Sequence, residues 1–319
     1  MKNIISAFDG MSCGQIAINK FLSKDEYKWF ASEIEYSSMN VTNHNFTKTL
    51  QLGDITNITG TMLPKDVFMI MGGSPCQGFS LAGRKKGMVA KDDLEYIEVT
   101  SLYQYMNLKE SGFQFEGQSY LFWEYIRLIK LTKPKYFLLE NVIMAGKNKR
   151  WEKIISKELG VEPIRINSNL ISAQNRDRLY WTNITGVTIP ENTYTHLSEV
   201  VPGAIGGWGQ RGRWCKTDNK YKLYATTRKD GKANCLTKSS CGRFAELYDG
   251  TIVPLTVEQC EVLQGVPVGY TDVIGVTKTD RYNMLGNGWT VPVIEHIFSF
   301  IPEFHLEYNK KGIIFEETI

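Results

Sequence analysis

Short apolar runs, each ending in polar or glycine-rich residues, recur along the first half of the chain. Asn3–Phe8, Trp29–Ile34, Val67–Met71 and Tyr136–Leu139 have the length and composition of buried strands. Pro163–Leu170 and Arg178–Asn183 extend the series as a last pair. Helical patterns lie between them. Cys13–Leu22 follows a glycine-containing turn. Tyr120–Leu131 places Leu121, Phe122, Tyr125, Leu128 and Ile129 at helical spacing and stops before Pro134. This alternation predicts an α/β fold built on a parallel, doubly wound sheet.

The texture changes after Asn183. Residues 184–245 are rich in Gly, Thr, Lys and Arg, with scattered Trp and Tyr and no sustained period. The expectation is a first domain over 1–183, a small irregular domain over 184–245, and a return to the first domain over 246–319. Helical signals resume at Leu255–Gln259, where Thr256 and Gln259 have capping-box spacing. A last helix is expected near Val291-Pro292, with Val293, Ile294, Ile297 and Phe298 on one face. Residues 87–117 suggest an added helical element.

Charge sharpens the division. The net charge of the 319 residues is only +3, yet ten Lys/Arg and two acids fall between Gly203 and Ala245. That window carries +8 and the remainder −5, which points to a polyanionic partner; a solvated loop is the plainer alternative. No apolar stretch approaches 18 residues, so no membrane span is expected. The six cysteines (13, 76, 215, 235, 241 and 260) show no Cys-x-x-Cys pairing, and the four histidines are scattered. Structural zinc and a disulfide framework are disfavoured, and a reducing, cytoplasmic setting is expected.

Several strand ends carry candidate chemistry. Gly72-Gly73-Ser74-Pro75-Cys76-Gln77-Gly78 lifts a cysteine off a strand on a Gly/Pro turn. A free thiol, with a pKa of about 8.5, is a strong nucleophile even at low thiolate fraction. No histidine lies nearby in sequence to make a Cys–His protease, whereas Arg84-Lys85-Lys86 can favour the thiolate. Glu140, in Glu140-Asn141-Val142, follows the apolar Tyr136–Leu139; a carboxyl beside a thiol can hydrogen-bond or protonate a ring nitrogen. Arg176 and Arg178 alternate and share a face. One can hold a base carbonyl and the other phosphate, or both can pair with Asp177 or surface acids. At the first strand end, Gly10 and Gly14 of Phe8-Asp9-Gly10…Gly14 let backbone approach a ligand at a helix N-terminus. Glu33 ends the second strand, where an acid binds ribose hydroxyls. Asp54 can accept from an adenine amino group, with Ile34 and Ile55 flanking the ring. The set describes a nucleoside cofactor.

In order and spacing, these motifs resemble those of the DNA cytosine-5 methyltransferases over nearly the whole chain. Phe8-Asp9-Gly10…Gly14 is similar to the first cofactor motif, Pro75-Cys76-Gln77 to the nucleophile motif, and Glu140-Asn141-Val142 to the acid motif. Gln174-x-Arg176-x-Arg178 is similar to the double-arginine motif. Pro254–Thr256 with Leu263–Pro267 and Leu285–Val293 resemble the two elements after the recognition domain. The first and last cofactor motifs look most like those of the mammalian de novo enzymes, within an otherwise bacterial or phage type. Gln118 stands where the family often has Arg.

The resemblance implies a Rossmann-like S-adenosylmethionine-dependent methyltransferase sheet with a small irregular target-recognition domain. It implies that Cys76 adds to C6 of a flipped cytosine while Glu140 engages N3, and that C5 takes the methyl of S-adenosylmethionine. Arg178 would contact the base and Arg176 the catalytic loop or phosphate. Phe8, Glu33, Ile34, Asp54, Leu121, Asn287 and Trp289 would line the cofactor pocket. The expected partner is double-stranded DNA, contacted through Gln77, Arg84, Arg228, Lys229, Lys238, Ser239 and Arg243. No metal is expected. The chain is expected to be a monomer in a bacterial or phage-infected cell, on the nucleoid, with a cognate restriction endonuclease as a functional rather than physical partner. Two alternatives stand beside this: a tRNA methyltransferase of the same fold, whose Cys-Phe-Thr element is not found here, and a non-catalytic DNA-binding relative.

Overall fold

The computed structural model describes residues 1–75, 89–91, 96–215 and 220–305, so Cys76, Gln77 and Arg84 lie outside the described residues. The main sheet begins with β1 (Lys2–Ala7), α1 (Cys13–Ile18), β2 (Tyr27–Ser32), α2 (Tyr36–Asn45), β3 (Leu50–Gln51) and β4 (Val67–Gly72). An insertion follows: β5 (Val89–Lys91), β6 (Tyr96–Glu98), α3 (Leu102–Glu110) and β7 (Gln114–Glu116). Then α4 (Phe122–Thr132), β8 (Tyr136–Val142), α5 (Lys149–Leu159), β9 (Ile164–Asn167) and β10 (Asp177–Thr182) complete the sheet, in the order β3-β2-β1-β4-β8-β10-β9.

Alternation along each strand sends side chains to two cores, one on each face. Ile4, Met69, Met71, Leu138 and Tyr180 enter the core shared with α1 and the C-terminal helices. Ile5, Ile70, Phe137, Leu139, Leu179 and Trp181 enter the core under α4 and α5. The expected parallel sheet is present except at one strand. β10 runs antiparallel to both β8 and β9. The link from β9 to β10, residues 168–176, is too short for the crossover that a parallel neighbour requires.

The segment expected to be irregular contains a second sheet. β11 (Ala204–Cys215), β12 (Lys220–Thr227), β13 (Phe244–Leu247) and β14 (Ile252–Pro254) pair antiparallel in the order β12-β11-β13-β14. The sheet runs past residue 245, the boundary expected for this unit. Gly, Lys and Thr conceal strand pairing from a reading of apolar period, because much of β12 is exposed on both faces. The 87–117 insertion also differs from the helical element expected: α3 accompanies a small sheet, β6-β5-β7. It docks on α4 through Glu124, which accepts from Tyr105 Oη at 2.6 Å, Lys109 Nζ at 2.5 Å and Arg127 Nε at 2.5 Å.

The chain returns through α6 (Val257–Gln264), α7 (Lys278–Asn287) and α8 (Val291–Phe298). Thr256 and Gln259 form the expected capping box at the start of α6. Val293, Ile294, Ile297 and Phe298 of α8 are buried. Gly265 ends α6 in the left-handed region, and a Cβ there would stand 2.3 Å from Pro292 Cδ, so a side chain is excluded on two counts. Among the described residues no helix is long and apolar enough to cross a membrane, and no cluster of three His, Cys, Asp or Glu is arranged to hold a metal ion.

Candidate active site

The first strand ends in a strained turn. Phe8, Gly10 and Ser12 all have positive φ (56°, 58° and 61°), a conformation that costs energy at the two non-glycine positions. Side chains hold it. The buried Asp9 carboxylate accepts from Ser12 Oγ and from Trp29 Nε1 at 3.2 Å, and Thr42 Oγ1 reaches Ser12 Oγ at 3.2 Å. Burial pushes the Asp9 carboxyl up to about 6, against the lowering effect of these hydrogen bonds. Glu33, just after β2, ties the turn to the next strand end. Its Oε2 accepts from the Gly10 amide at 2.8 Å, and its Oε1 from the amides of Ile34 at 2.7 Å and Glu35 at 2.9 Å.

The remaining expected cofactor residues divide. Ile34 is 63% exposed beside Glu33, and a Cβ on Gly10 or Gly53 would meet nothing within 4 Å, so this edge is open. Asp54 caps a short turn, accepting from the Thr56 amide at 2.9 Å and Thr56 Oγ1 at 2.8 Å. Ile55 is a core group packed with Ile5 and Ile58, unlike the exposed Ile34. Leu121 ends the turn that leads into α4 and is partly buried on the same core. Asn287 is exposed at the end of α7, and Trp289 is half-buried. Gly14 is a close-packing glycine: a Cβ would stand 2.5 Å from Met71 Sδ and 3.5 Å from the Trp289 ring.

Trp289 connects this turn to the neighbouring strand end. A Cβ on Gly73 would lie 2.9 Å from Trp289 Nε1 and 3.2 Å from Glu140 Oε2. Glu140, on β8 and 8% exposed, therefore lies over the glycine three residues before Cys76. Asn141 Nδ2 donates to Ser74 O at 3.2 Å and Ser74 Oγ at 3.1 Å, fixing the chain that leads to Cys76 onto β8.

The two arginines take different roles in this arrangement. Arg178 Nε meets Glu140 Oε1 at 2.8 Å, both side chains largely buried. Burial opposes the Arg178 charge, but Glu140 and Cys235 outweigh it and its pKa is raised. Arg176, just before β10 and 4% exposed, donates through Nη1 to Leu236 O at 2.9 Å and Gly286 O at 3.3 Å. It thereby clamps the second-sheet segment to the end of α7. Nearby, Gln174 Oε1 accepts from the Leu236 amide at 2.9 Å, and Gln174 Nε2 donates to Gln264 Oε1 at 3.1 Å. Gln264 Nε2 donates to Leu285 O at 2.5 Å and Gly288 O at 3.1 Å. A buried amide network thus joins segments nearly a hundred residues apart. Sequence reasoning missed Asn141, Gln174 and Gln264 as supports, because their partners are backbone groups or side chains remote in sequence. It also missed Cys235, which lies between the two arginines.

Of the expected nucleic-acid contacts, Lys229, Lys238 and Ser239 are exposed. Arg228 is not free: it pairs with Asp230, its Nε 2.9 Å from Oδ1. The Arg243 guanidinium lies 4.3 Å from the Tyr282 ring centroid. Lys232, part of the basic window, is buried and donates to the carbonyls of Ser172 and Thr195.

The chain is 24% identical over 299 residues to the type II methyltransferase M.MspI of Moraxella sp., covering 84% of this chain and 63% of that protein. It is 27% identical over 317 residues to the type II methyltransferase M1.ScrFI of Lactococcus lactis subsp. cremoris, covering 88% and 73%. The chain thus spans about two thirds to three quarters of these relatives. Among solved structures, a Spodoptera frugiperda DNMT2 mutant shares the fold with a TM-score of 0.63 at 15% identity, over 94% of this chain and 99% of that one. A sequence model of the C-5 cytosine-specific DNA methylases matches residues 3–104 and 109–202, which include the strained first turn, the Cys76 strand end, Glu140 and both arginines. With more than half of its length matched, the chain belongs to the C-5 cytosine-specific DNA methylase family.

Proposed function

We propose that the chain is a DNA (cytosine-5)-methyltransferase acting on a cytosine flipped out of a specific duplex sequence. The observation that carries this reading is the buried Glu140–Arg178 pair seated against Gly73, three residues before Cys76. A carboxyl and a guanidinium held side by side present complementary groups to the ring nitrogen and carbonyl of a pyrimidine. Cys76 then adds to C6, Glu140 engages N3, and C5 becomes nucleophilic. S-adenosylmethionine, when bound, supplies the electrophilic methyl group that C5 accepts. A base removes the C5 proton and Cys76 leaves.

The open edge above Gly10, Gly53 and Ile34 fits an adenosyl group. Glu33 Oε2 accepts one amide and keeps a lone pair for a ribose hydroxyl. Trp289, over Gly14 and Gly73, separates this edge from the cytosine side. Residues 184–245, with the strands that complete their sheet, act as the recognition unit. Lys229, Lys238 and Ser239 face the duplex, while Arg228 and Arg243 support the loops that carry them. A monomer acting in the cytoplasm is the expected working form, and a cognate endonuclease would share only its recognition sequence.

The test is Cys76→Ala. Methyl transfer to duplex DNA should vanish while DNA binding persists. DNA containing 5-fluorocytosine should become covalently attached to the unaltered protein through Cys76. Normal methylation by the variant would refute the proposal, and preferential methylation of tRNA by the unaltered protein would favour the RNA alternative.

A further inference from the structure

We propose that Cys235 is held as a thiolate between Arg176 and Arg178, and that it is a positioning residue which keeps the Arg178 guanidinium on Glu140. Its sulfur lies 3.5 Å from Arg176 Nη1 and 3.7 Å from Arg178 Nη2. Both contacts are donated by cations to the same sulfur. Arg178 has a carboxylate on its other edge, at Glu140. Arg176 is 4% exposed, and the other acceptors of its guanidinium among the described residues, Leu236 O and Gly286 O, are neutral.

With a neutral thiol, the cluster of Arg176, Arg178 and Glu140 holds a buried net positive charge. With a thiolate it is neutral, the condition under which buried charges are tolerated. The groups facing the sulfur come from several elements. Arg176 and Arg178 approach from β10 and its preceding residue, with Tyr180 further along that strand. Glu140 stands behind Arg178 on β8. Gly242 packs against the Cys235 carbonyl from the adjoining turn, and Gly286 presents only backbone. The competing state is a neutral thiol donating to Leu236 O at 3.4 Å, a carbonyl that Arg176 already uses.

The other described thiols behave oppositely. Burial pushes Cys13 and Cys260 up to about 12. Burial also acts to raise Cys235, but the two arginines outweigh it and its pKa is lowered. A thiolate bridging both guanidiniums fixes Arg178 from the side opposite Glu140, so the pair stays aimed over Gly73.

The existence of the thiolate does not depend on the proposed methyltransferase reaction; its effect on turnover does. The first measurement therefore uses the protein alone. Thiolate absorbance near 240 nm is titrated in the unaltered chain and in Cys235→Ser. The difference should show a step with a midpoint below the ordinary thiol value of about 8.5; a midpoint at or above it overturns the proposal. Iodoacetamide labelling of the unaltered chain, read at Cys235 by peptide mass spectrometry across pH, gives the same midpoint without a variant. Failure of Cys235 to react faster than Cys13 and Cys260 at pH 7 overturns it equally.

The second measurement is methyl transfer. Cys235→Ser should lower kcat by about 10- to 100-fold, the scale of a misplaced reacting group, with unchanged S-adenosylmethionine affinity. The acid limb of the kcat–pH profile at the spectroscopic midpoint should disappear. An unchanged limb would show that the thiolate has no positioning role. If the unaltered chain transfers no methyl group, the methyltransferase reading fails while the absorbance step still decides the state of Cys235.

Discussion

Asp9→Asn should stabilise the protein at neutral pH and change nothing near pH 4. The Asp9 carboxyl is buried behind the first strand end and titrates at about 6 instead of its ordinary 3.8. Between these values the folded protein keeps a proton that the unfolded chain has released. The free energy of unfolding therefore falls as pH rises through this window and levels off above about 6. At about 1.4 kcal/mol per pH unit, the displacement amounts to about 3 kcal/mol of instability at pH 7, an upper bound. Asparagine resembles the protonated carboxyl and removes the slope. Urea unfolding of both proteins from pH 4 to 7.5 isolates Asp9, because every other titrating group cancels in the difference. The variant's advantage should grow from near zero at pH 4 to between about 1 and 3 kcal/mol at pH 7. A difference that is flat with pH, or a variant less stable at pH 7, would refute the assignment. Stability should come at the expense of cofactor affinity: asparagine cannot accept from Ser12 and Trp29 as the carboxylate does, and Ser12 sits in the left-handed conformation that shapes the turn.

Three other substitutions test the cytosine side and the recognition unit. Glu140→Gln leaves the buried Arg178 guanidinium without its carboxylate; denaturant unfolding should show a loss of about 3–5 kcal/mol, with methyl transfer abolished. An unchanged midpoint would mean that the pair does not persist in solution. Lys238→Ala should flatten the dependence of log affinity for duplex DNA on log salt by about 0.9. Arg228→Ala should flatten it less, because Arg228 already pairs with Asp230; equal changes would contradict that distinction.

The main sheet was readable because its strands are apolar on both faces. Ile4 and Ile5 point into different cores, so the run shows as continuous rather than alternating. Elements without that signature escaped. α2 carries the sequence Tyr-Ser-Ser-Met-Asn-Val-Thr-Asn-His-Asn and buries only Ser38, Val41 and Thr42, leaving no apolar stripe to detect. The reversal of β10 escaped as well, because its residues are equally apolar in either direction; only the length of the preceding link speaks to it. β11 and β12 pair through backbone over residues whose side chains look like those of a loop.

The candidate site was legible at single positions and illegible in its pairings. Glu140 stands out as a carboxyl that directly follows four apolar strand residues. That it meets Arg178 follows from register, since Tyr180 lies opposite Glu140 and Arg178 opposite Val142 across β8 and β10. A parallel β10, the direction first expected, would have aligned the two strands differently. The basic window shows the same limit. Arg228, Lys232 and Lys238 are equivalent as charges in sequence, yet Lys232 is buried on carbonyls contributed by Ser172 and Thr195 and Arg228 is matched by an acid two residues away. Only Asp230 was near enough in sequence to reveal its partner. Charge composition therefore locates a basic window, but which of its cations can meet a polyanion is decided by tertiary contacts: among the described residues, Lys232 counts toward the local +8 yet is held on backbone carbonyls.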